Sequence, residues 1–365
     1  MGIPEKIKKI EEEISRTQVN KATERHLGVL KARIARHRDE LEKISLRKSG
    51  GGGGGYTVKK DGDATIILLG LPSVGKSTLL NHLTNSKSKV GAYYFTTLTV
   101  VPGMLDYKGA KLQILDIPGI IKGASRGRGL GKRILSTTRS ADLILLIVDV
   151  FNPGVRDVLL NEIRAIGLRP DEEIPNIRIR KRGSGGINIT DMVGMTNMER
   201  DGIREILREY KFHNASVVVR EDATYDQLID VMLRNRVYVP TLTVLNKIDM
   251  VDEQHVSEIR ETCGYDFLPI SADSDVNLDL LKDRLFEELD LIKLYMKPRG
   301  EKPDFDEPLI IRNGSTIEDV SNKVHRKLKD ELRYTRVWGK SVKHGGQKVR
   351  LSHCPMDEDV ITFFT

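Results

Sequence analysis

The nine residues GLPSVGKST, Gly70 to Thr78, carry the chemistry most easily read in this chain. They fit G-x-x-x-x-G-K-[ST], follow the apolar run TIILL and lead into TLLNHLTN, which has a helical pattern. A glycine-rich turn between a strand and a helix can wrap a phosphate in backbone N–H groups. The amides of Ser73, Val74, Gly75 and Lys76 are the candidates. Lys76 would reach the β- and γ-phosphates, and the hydroxyl of Ser77, with Thr78 beside it, suits Mg²⁺.

Three further stretches fit the same chemistry. NKID, Asn246 to Asp249, ends another apolar run. A carboxylate at Asp249 can accept both the ring N–H and the exocyclic amine of guanine, whereas adenine presents the wrong pattern there. Lys247 would lay its stem along the base, and Asn246 would tie this loop to the phosphate loop. Ser271 and Ala272, in ISAD, would add backbone contact to the base oxygen. DIPG places Asp116 at a strand end, to hold Mg²⁺ through water, and Gly119 where its amide could sense a γ-phosphate. Thr97 in YYFTTLT, with Thr96 as the less favoured alternative, would cap the metal. Lys76, Thr97 and Gly119 are thus the expected catalytic groups, and Ser77, Thr97 and Asp116 the expected metal ligands. The order of these motifs is that of a GTPase domain, with GTP or GDP and Mg²⁺ as its cofactors.

The elements positioning these residues read as follows. Apolar strands at 64–70, 112–119, 141–150, 238–249 and 267–272 alternate with helical segments. That is an α/β pattern, a mostly parallel sheet covered on both faces. A charge-rich stretch, IPNIRIRKRGSGGINIT with ASVVVRED further on, interrupts it as a small α+β insert. Ile3, Ile7, Ile10 and Ile14, then Leu27, Leu30, Ile34, Leu41 and Ile44, predict an antiparallel helical hairpin. Its outer side would carry Lys31, Arg33, Arg36 and Arg38, as a solvated face or a nucleic-acid contact. Six glycines, Gly50 to Gly55, form a linker or hinge. From Leu291 onward, strands IKLYMKP and PLIIR, a helix opened by a Ser315–Glu318 capping box and three more strands suggest a ubiquitin-like β-grasp fold. The expected division is a helical hairpin over 1–48, a linker over 49–63, a P-loop GTPase domain over 64–166 and 238–290, an inserted domain over 167–237 and a β-grasp domain over 291–365.

Composition sets the outer bounds. The 365 residues carry a net charge of +7, with 39% hydrophobic and 30% charged residues. No apolar run is long enough to span a membrane and the N-terminus lacks a signal-peptide core, so a cytoplasmic protein without a membrane partner is expected. Two distant cysteines, Cys263 and Cys354, support neither a disulfide framework nor a zinc site. Charge is concentrated in residues 321–350, where ten Lys or Arg face two acids. Lys323, Arg326, Lys327, Lys340, Lys343 and Lys348 are the candidate RNA contacts. No motif there supports sequence-specific readout or DNA specificity.

GLPSVGKSTLLN, YYFTTLT, LDIPGIIKGA, GGIN, EYKFHNA, VLNKID and RVWGKSVKH resemble the Drg (developmentally regulated GTP-binding) family of the Obg-related GTPases, over essentially the whole chain. The resemblance implies that the β-grasp domain is a TGS domain. It also implies a dedicated stabilising protein partner and association with translating ribosomes or their rRNA. Lys122 stands where the family usually has an acid, within a stretch, 121–140, that holds six basic residues and no acid. In Ras-like GTPases a glutamine that orients water follows the DxxG glycine; here Ile120 does. Slow intrinsic hydrolysis is the consequence, with the missing charge supplied by K⁺ near Ser73 or by an activating partner. Two other readings stay open: a nucleotide- or alarmone-sensing regulator that does not act on the ribosome, and a scaffold whose GTP is structural.

Overall fold

The computed structural model describes residues 2–48, 61–84, 93–95, 98–117, 138, 140–234, 236–325 and 328–365. Along the chain, helix Ile3–Arg16 and helix Lys21–Lys48 come first. Strands β1 (Ala64–Leu69), β2 (Tyr93–Phe95), β3 (Leu98–Tyr107), β4 (Ala110–Asp116), β5 (Leu143–Asp149) and β6 (Leu168–Pro170) follow. Then come β7 (Ile177–Lys181), β8 (Ile187–Asp191), β9 (Ala215–Val219) and β10 (Val237–Val239). The series continues with β11 (Thr241–Asn246) and β12 (Leu268–Pro269), and ends with β13 (Leu291–Met296), β14 (Leu309–Arg312), β15 (Tyr334–Trp338), β16 (Gln347–Val349) and β17 (Val360–Phe364). The chain divides into two compact units, one of residues 1–55 with 172–238, the other of 56–171 with 239–365.

In the second unit a seven-stranded sheet runs β12-β11-β5-β1-β4-β3-β2. Its first five strands are parallel, and β3 and β2 extend it antiparallel. β1 is buried at all six positions, as a central strand covered on both faces must be. Its apolar run therefore does not alternate. One face packs Ile66, Leu68, Leu79, Leu83, Leu281 and Leu285 into the main core. Register then determines what lies at the carboxyl ends of the strands: Leu68 pairs with Asp116, and Asp149 with Asn246. The chain leaves β1 toward β2 on one side and leaves β5 toward β11 on the other, so the gap between β1 and β5 is the topological switch point at which open α/β sheets bind ligands.

The C-terminal part of this unit has a five-stranded sheet, β14-β13-β17-β15-β16, with β13 and β17 parallel at its centre. Helix Ile317–Val324 packs on it through Ile317 and Val320. The cap of this helix corrects the expected Ser315–Glu318 box. The cap is Thr316, whose side chain and backbone pair reciprocally with Asp319. Both pairs have the required spacing, and only the backbone geometry chooses between them. Arg312 of β14 forms an ion pair with Asp142, which is 8% exposed and accepts the Thr65 amide at 2.8 Å.

In the first unit the two helices form the antiparallel hairpin, with Arg38–Glu11 and His26–Glu13 pairs between them. Helix 3–16 buries no residue. Helix 21–48 instead uses Val29 and Ala32 against the inserted segment, joining Ile203, Ile206, Leu207 and Leu228 in one core. Gly28 lies so close to the Tyr225 ring that an added Cβ would sit 2.7 Å from it. The basic side chains expected on the outer side of this helix hold acids in partly exposed ion pairs. Lys31 pairs with Asp226 at 2.6 Å, Arg33 with Glu209 at 2.7 Å, Arg36 donates to the Glu209 carbonyl at 2.8 Å, and Arg38 holds Glu11. The acids that neutralise them are distant in sequence, so the linear pattern showed charge without its partners.

Candidate nucleotide-binding site

The phosphate loop joins β1 to the helix Lys76–Leu83. Its shape depends on two residues in left-handed backbone, Ser73 (φ 65°) and Gly75 (φ 94°). Gly75 has a second constraint, because a Cβ there would lie 2.4 Å from the Asn246 amide nitrogen. Gly70 is equally confined: its Cβ would meet the Ile147 carbonyl oxygen at 2.5 Å. Val74 is buried and anchors the loop to the core, leaving Ser73 exposed at its rim. Lys76 Nζ donates to the carbonyls of Gly70 and Leu71 at 3.0 and 2.8 Å, cinching the loop. Burial holds the Lys76 ammonium below the usual lysine range, partly offset by the Asp116 carboxylate.

Ser77 Oγ donates to Asp116 Oδ2 at 3.0 Å. Asp116 is 5% exposed, and its Oδ1 is buried without a hydrogen-bond partner among the described residues. A buried carboxylate oxygen normally has a donor or a cation. The hydroxyl–carboxylate pair beside a phosphate-binding turn therefore fits an oxygen-ligated hard cation such as Mg²⁺. Thr78 continues the helix, half-buried. Thr97, its alternative Thr96, Gly119 and Ile120 lie outside the described residues, as does the basic stretch 121–137.

On the base side, Asn246 joins three loops. It is 2% exposed, donates to the Val74 carbonyl at 2.8 Å and accepts the Ala272 amide at 2.9 Å. Lys247 adopts left-handed backbone (φ 69°) and approaches Asp149 at 3.8 Å. Asp249 is exposed on the short 3-10 turn Ile248–Met250, and its carboxylate makes no hydrogen bond among the described residues. It is thus available as a double acceptor. The Ala272 amide donates to Asn246 and the Ser271 amide to the Val276 carbonyl. These bonds brace the loop beside NKID. Asp149 escaped the sequence reading, though its position at the end of β5, in register with Asn246, was a usable signal.

The candidate RNA residues are not brought together as one free patch. Lys323 pairs with Asp63 at 2.8 Å and donates to the Ile310 carbonyl. Arg326 and Lys327 lie outside the described residues. Lys340 approaches Glu358 at 3.8 Å, while Lys343 is exposed and Lys348 sits 4.4 Å above the Tyr334 ring. Trp338 is half-buried on β15 under Gly345 and Gly346.

A strand–loop–helix with this lysine, a serine hydroxyl on a buried aspartate and an Asn-clamped NKID at one sheet edge define a P-loop GTPase domain, here joined to a TGS domain. Residues 65–178 match the family described as 50S ribosome-binding GTPase, 184–291 the C-terminal region of that domain, and 292–365 the TGS domain. The chain is 53% identical over 365 residues to a GTP-binding protein of Methanocaldococcus jannaschii, covering 99% of this chain and 93% of that one. It is 46% identical to developmentally-regulated GTP-binding protein 1 of Xenopus laevis, covering 99% and 98% of the two chains. To developmentally-regulated GTP-binding protein 2 of Homo sapiens it is 43% identical, with 99% of each chain covered. The chain belongs to the developmentally regulated GTP-binding protein family, and is a GTP-binding protein of the GTPase class.

Proposed function

We propose that this GTPase is a Mg²⁺-dependent switch that docks on the ribosome in its GTP form and acts in translation, with a low intrinsic rate of hydrolysis. The observation that carries the metal-dependent part is the Ser77–Asp116 pair with its unpartnered buried oxygen. Mg²⁺ would be held by Ser77, by Asp116 and, when GTP is bound, by Thr97, and would neutralise charge on the β- and γ-phosphates. Lys76 and the loop amides bind and orient those phosphates. Gly119 reports the third one, and Asp249 selects guanine. Hydrolysis is slow because Ile120 has no polar atom to orient water, so K⁺ beside Ser73 or a docked partner supplies the missing charge.

The ribosomal part is supported by the description of the family matched at 65–178 and by the exposed lysines of the TGS domain. A dedicated stabilising protein partner and a cytoplasmic location complete the reading. No helix among the described residues is long and apolar enough to cross a membrane. The test is co-sedimentation with purified ribosomes, with the protein loaded with a non-hydrolysable GTP analogue or with GDP. Retention of the GTP form, weakening with salt, is expected. Equal absence of both forms from the pellet would refute ribosomal docking and leave the GTPase assignment intact.

A further inference from the structure

The inserted segment of the first unit has a three-stranded sheet, β7-β9-β8, with its two helices and helix 21–48 on one face only. The residues alternate as a half-covered sheet requires. Ile177, Ile179, Ala215, Val217, Val219, Ile187 and Ile189 turn toward the helices. The opposite face is a cleft of about 390 Å³ lined by Arg178, Arg180, Arg182 and Arg220 around a floor of Ser216 and Val218. Register places Arg178 opposite Val218, and Arg180 opposite Ser216. On the far side Asn188 pairs with Ser216, and Thr190 with Val218. Ser216 and Val218 thus floor a trough bordered by guanidinium groups.

We propose that this face binds the phosphodiester backbone of duplex RNA, without reading its bases. Three features choose that occupant. None of the four guanidinium groups has an acidic or hydrogen-bonding partner among the described residues, whereas Arg25, Lys31, Arg33, Arg36 and Arg38 of helix 21–48 each hold an acid. The nearby carboxylates are committed elsewhere: Asp191 accepts the amides of Val193, Gly194 and Met195, and Asp222 those of Thr196 and Asn197. Arg178 and Arg180 stand two residues apart on β7, with Arg182 directly past its end, roughly 6.7 Å from one to the next for extended chain. That interval is comparable to the spacing of successive phosphates along a nucleic-acid strand, and each fork can engage a phosphate bidentately. No aromatic side chain lies in the trough, so unstacked bases have no platform, and recognition rests on backbone and ribose hydroxyls. An acidic peptide would need apolar pockets between its charges, and the floor offers only Val218. The proposal stands apart from ribosomal docking and does not require it.

The test uses full-length protein and a fluorescent 20-base-pair RNA duplex, titrated at several salt concentrations. Arg178→Ala/Arg180→Ala/Arg220→Ala is expected to weaken binding at least tenfold and lower the logarithmic salt slope by about two to three. The matching triple lysine variant should stay within about fivefold of wild type, because charge is retained. Arg178→Ala and Arg220→Ala singly should each lower the slope by about one, which guards against a misfolded triple variant. Thermal melting confirms the fold of each. The proposal is overturned if the wild type does not bind the duplex, if the triple alanine variant binds within twofold of wild type, or if polyglutamate competes as well as RNA at equal charge. None of these results bears on ribosome co-sedimentation by the GTP form, so the two readings fail separately.

Discussion

Replacing Asn246 by alanine should cost this protein its nucleotide far more than its fold. The side chain is 2% exposed and makes two hydrogen bonds, donating to the Val74 carbonyl at 2.8 Å and accepting from the Ala272 amide at 2.9 Å. Alanine removes both and leaves two backbone groups without partners. A lost bond contributes about 0.5–1.5 kcal/mol net, and an orphaned buried group costs about 1–3 kcal/mol. Water can reach the Val74 side through the exposed rim at Ser73, so the sum is discounted to about 2–4 kcal/mol. Because Asn246 clamps the phosphate loop to the base loops, that free energy is lost from pre-organisation of the site. The expected outcome is a fluorescent-GDP Kd raised by about 30-fold to several hundred-fold. The parallel sheet, whose strand pairing does not use the Asn246 side chain, should keep its far-ultraviolet circular dichroism. The TGS domain should likewise stay folded. A Kd within threefold of wild type would refute the clamp, as would a variant that loses its secondary structure altogether.

Four further expectations follow from the geometry. Ser77→Ala should lower GTP affinity by at least tenfold in Mg²⁺ yet match wild type in excess chelator, as read by equilibrium dialysis. Equal losses in both conditions would mean that the hydroxyl acts on something other than the metal. Asp249→Asn exchanges one acceptor for a donor, so guanine should lose affinity and xanthine, whose edge offers one donor and one acceptor, should gain it in competition binding. Gly28→Val places side-chain atoms into the Tyr225 ring, which an added Cβ already meets at 2.7 Å, and should destabilise the first unit by about 1–3 kcal/mol. Faster hydrogen exchange in helix 21–48 would show it, and unchanged protection would contradict it. Burial raises the pKa of Tyr210 well above the usual tyrosine range. The unfolded chain therefore gives up this proton first, and stability present below about pH 10 is lost as the pH rises beyond it. Tyr210→Phe should flatten that alkaline loss in a melting series.

The site was legible in sequence where chemistry demands fixed residue types at fixed spacing. Lys76, Ser77, Asp116 and Asn246 come together because each sits at or just past the end of a parallel strand, and the apolar runs that mark those strands are easy to see. The doubly wound sheet and the TGS β-grasp were legible for the same reason. What required coordinates was partnership between distant residues. Lys31, Arg33 and Arg36 read as a basic face until Asp226 and Glu209 were found beside them. Lys323 read as an RNA contact until it was found holding Asp63. Conversely IRIRKR read as undifferentiated charge, although its two-residue alternation already placed Arg178, Arg180 and Arg182 on one face. The helix cap at Thr316, one residue from the expected Ser315, depended on backbone angles that two overlapping capping patterns leave open. The glycine clash at Gly75 with Asn246 joins residues 171 positions apart, so no local pattern could have carried it.

The central claim, a GTPase whose slow chemistry awaits its docking partner, is tested most directly by multiple-turnover GTP hydrolysis. The full-length protein would be assayed in K⁺ and in Na⁺, each with and without purified ribosomes. Ribosomes should raise the rate in K⁺ by about an order of magnitude or more, as a group supplied to an incomplete site can. A rate that responds to K⁺ alone would make the chemistry self-contained, and a rate that responds to neither would contradict the switch itself.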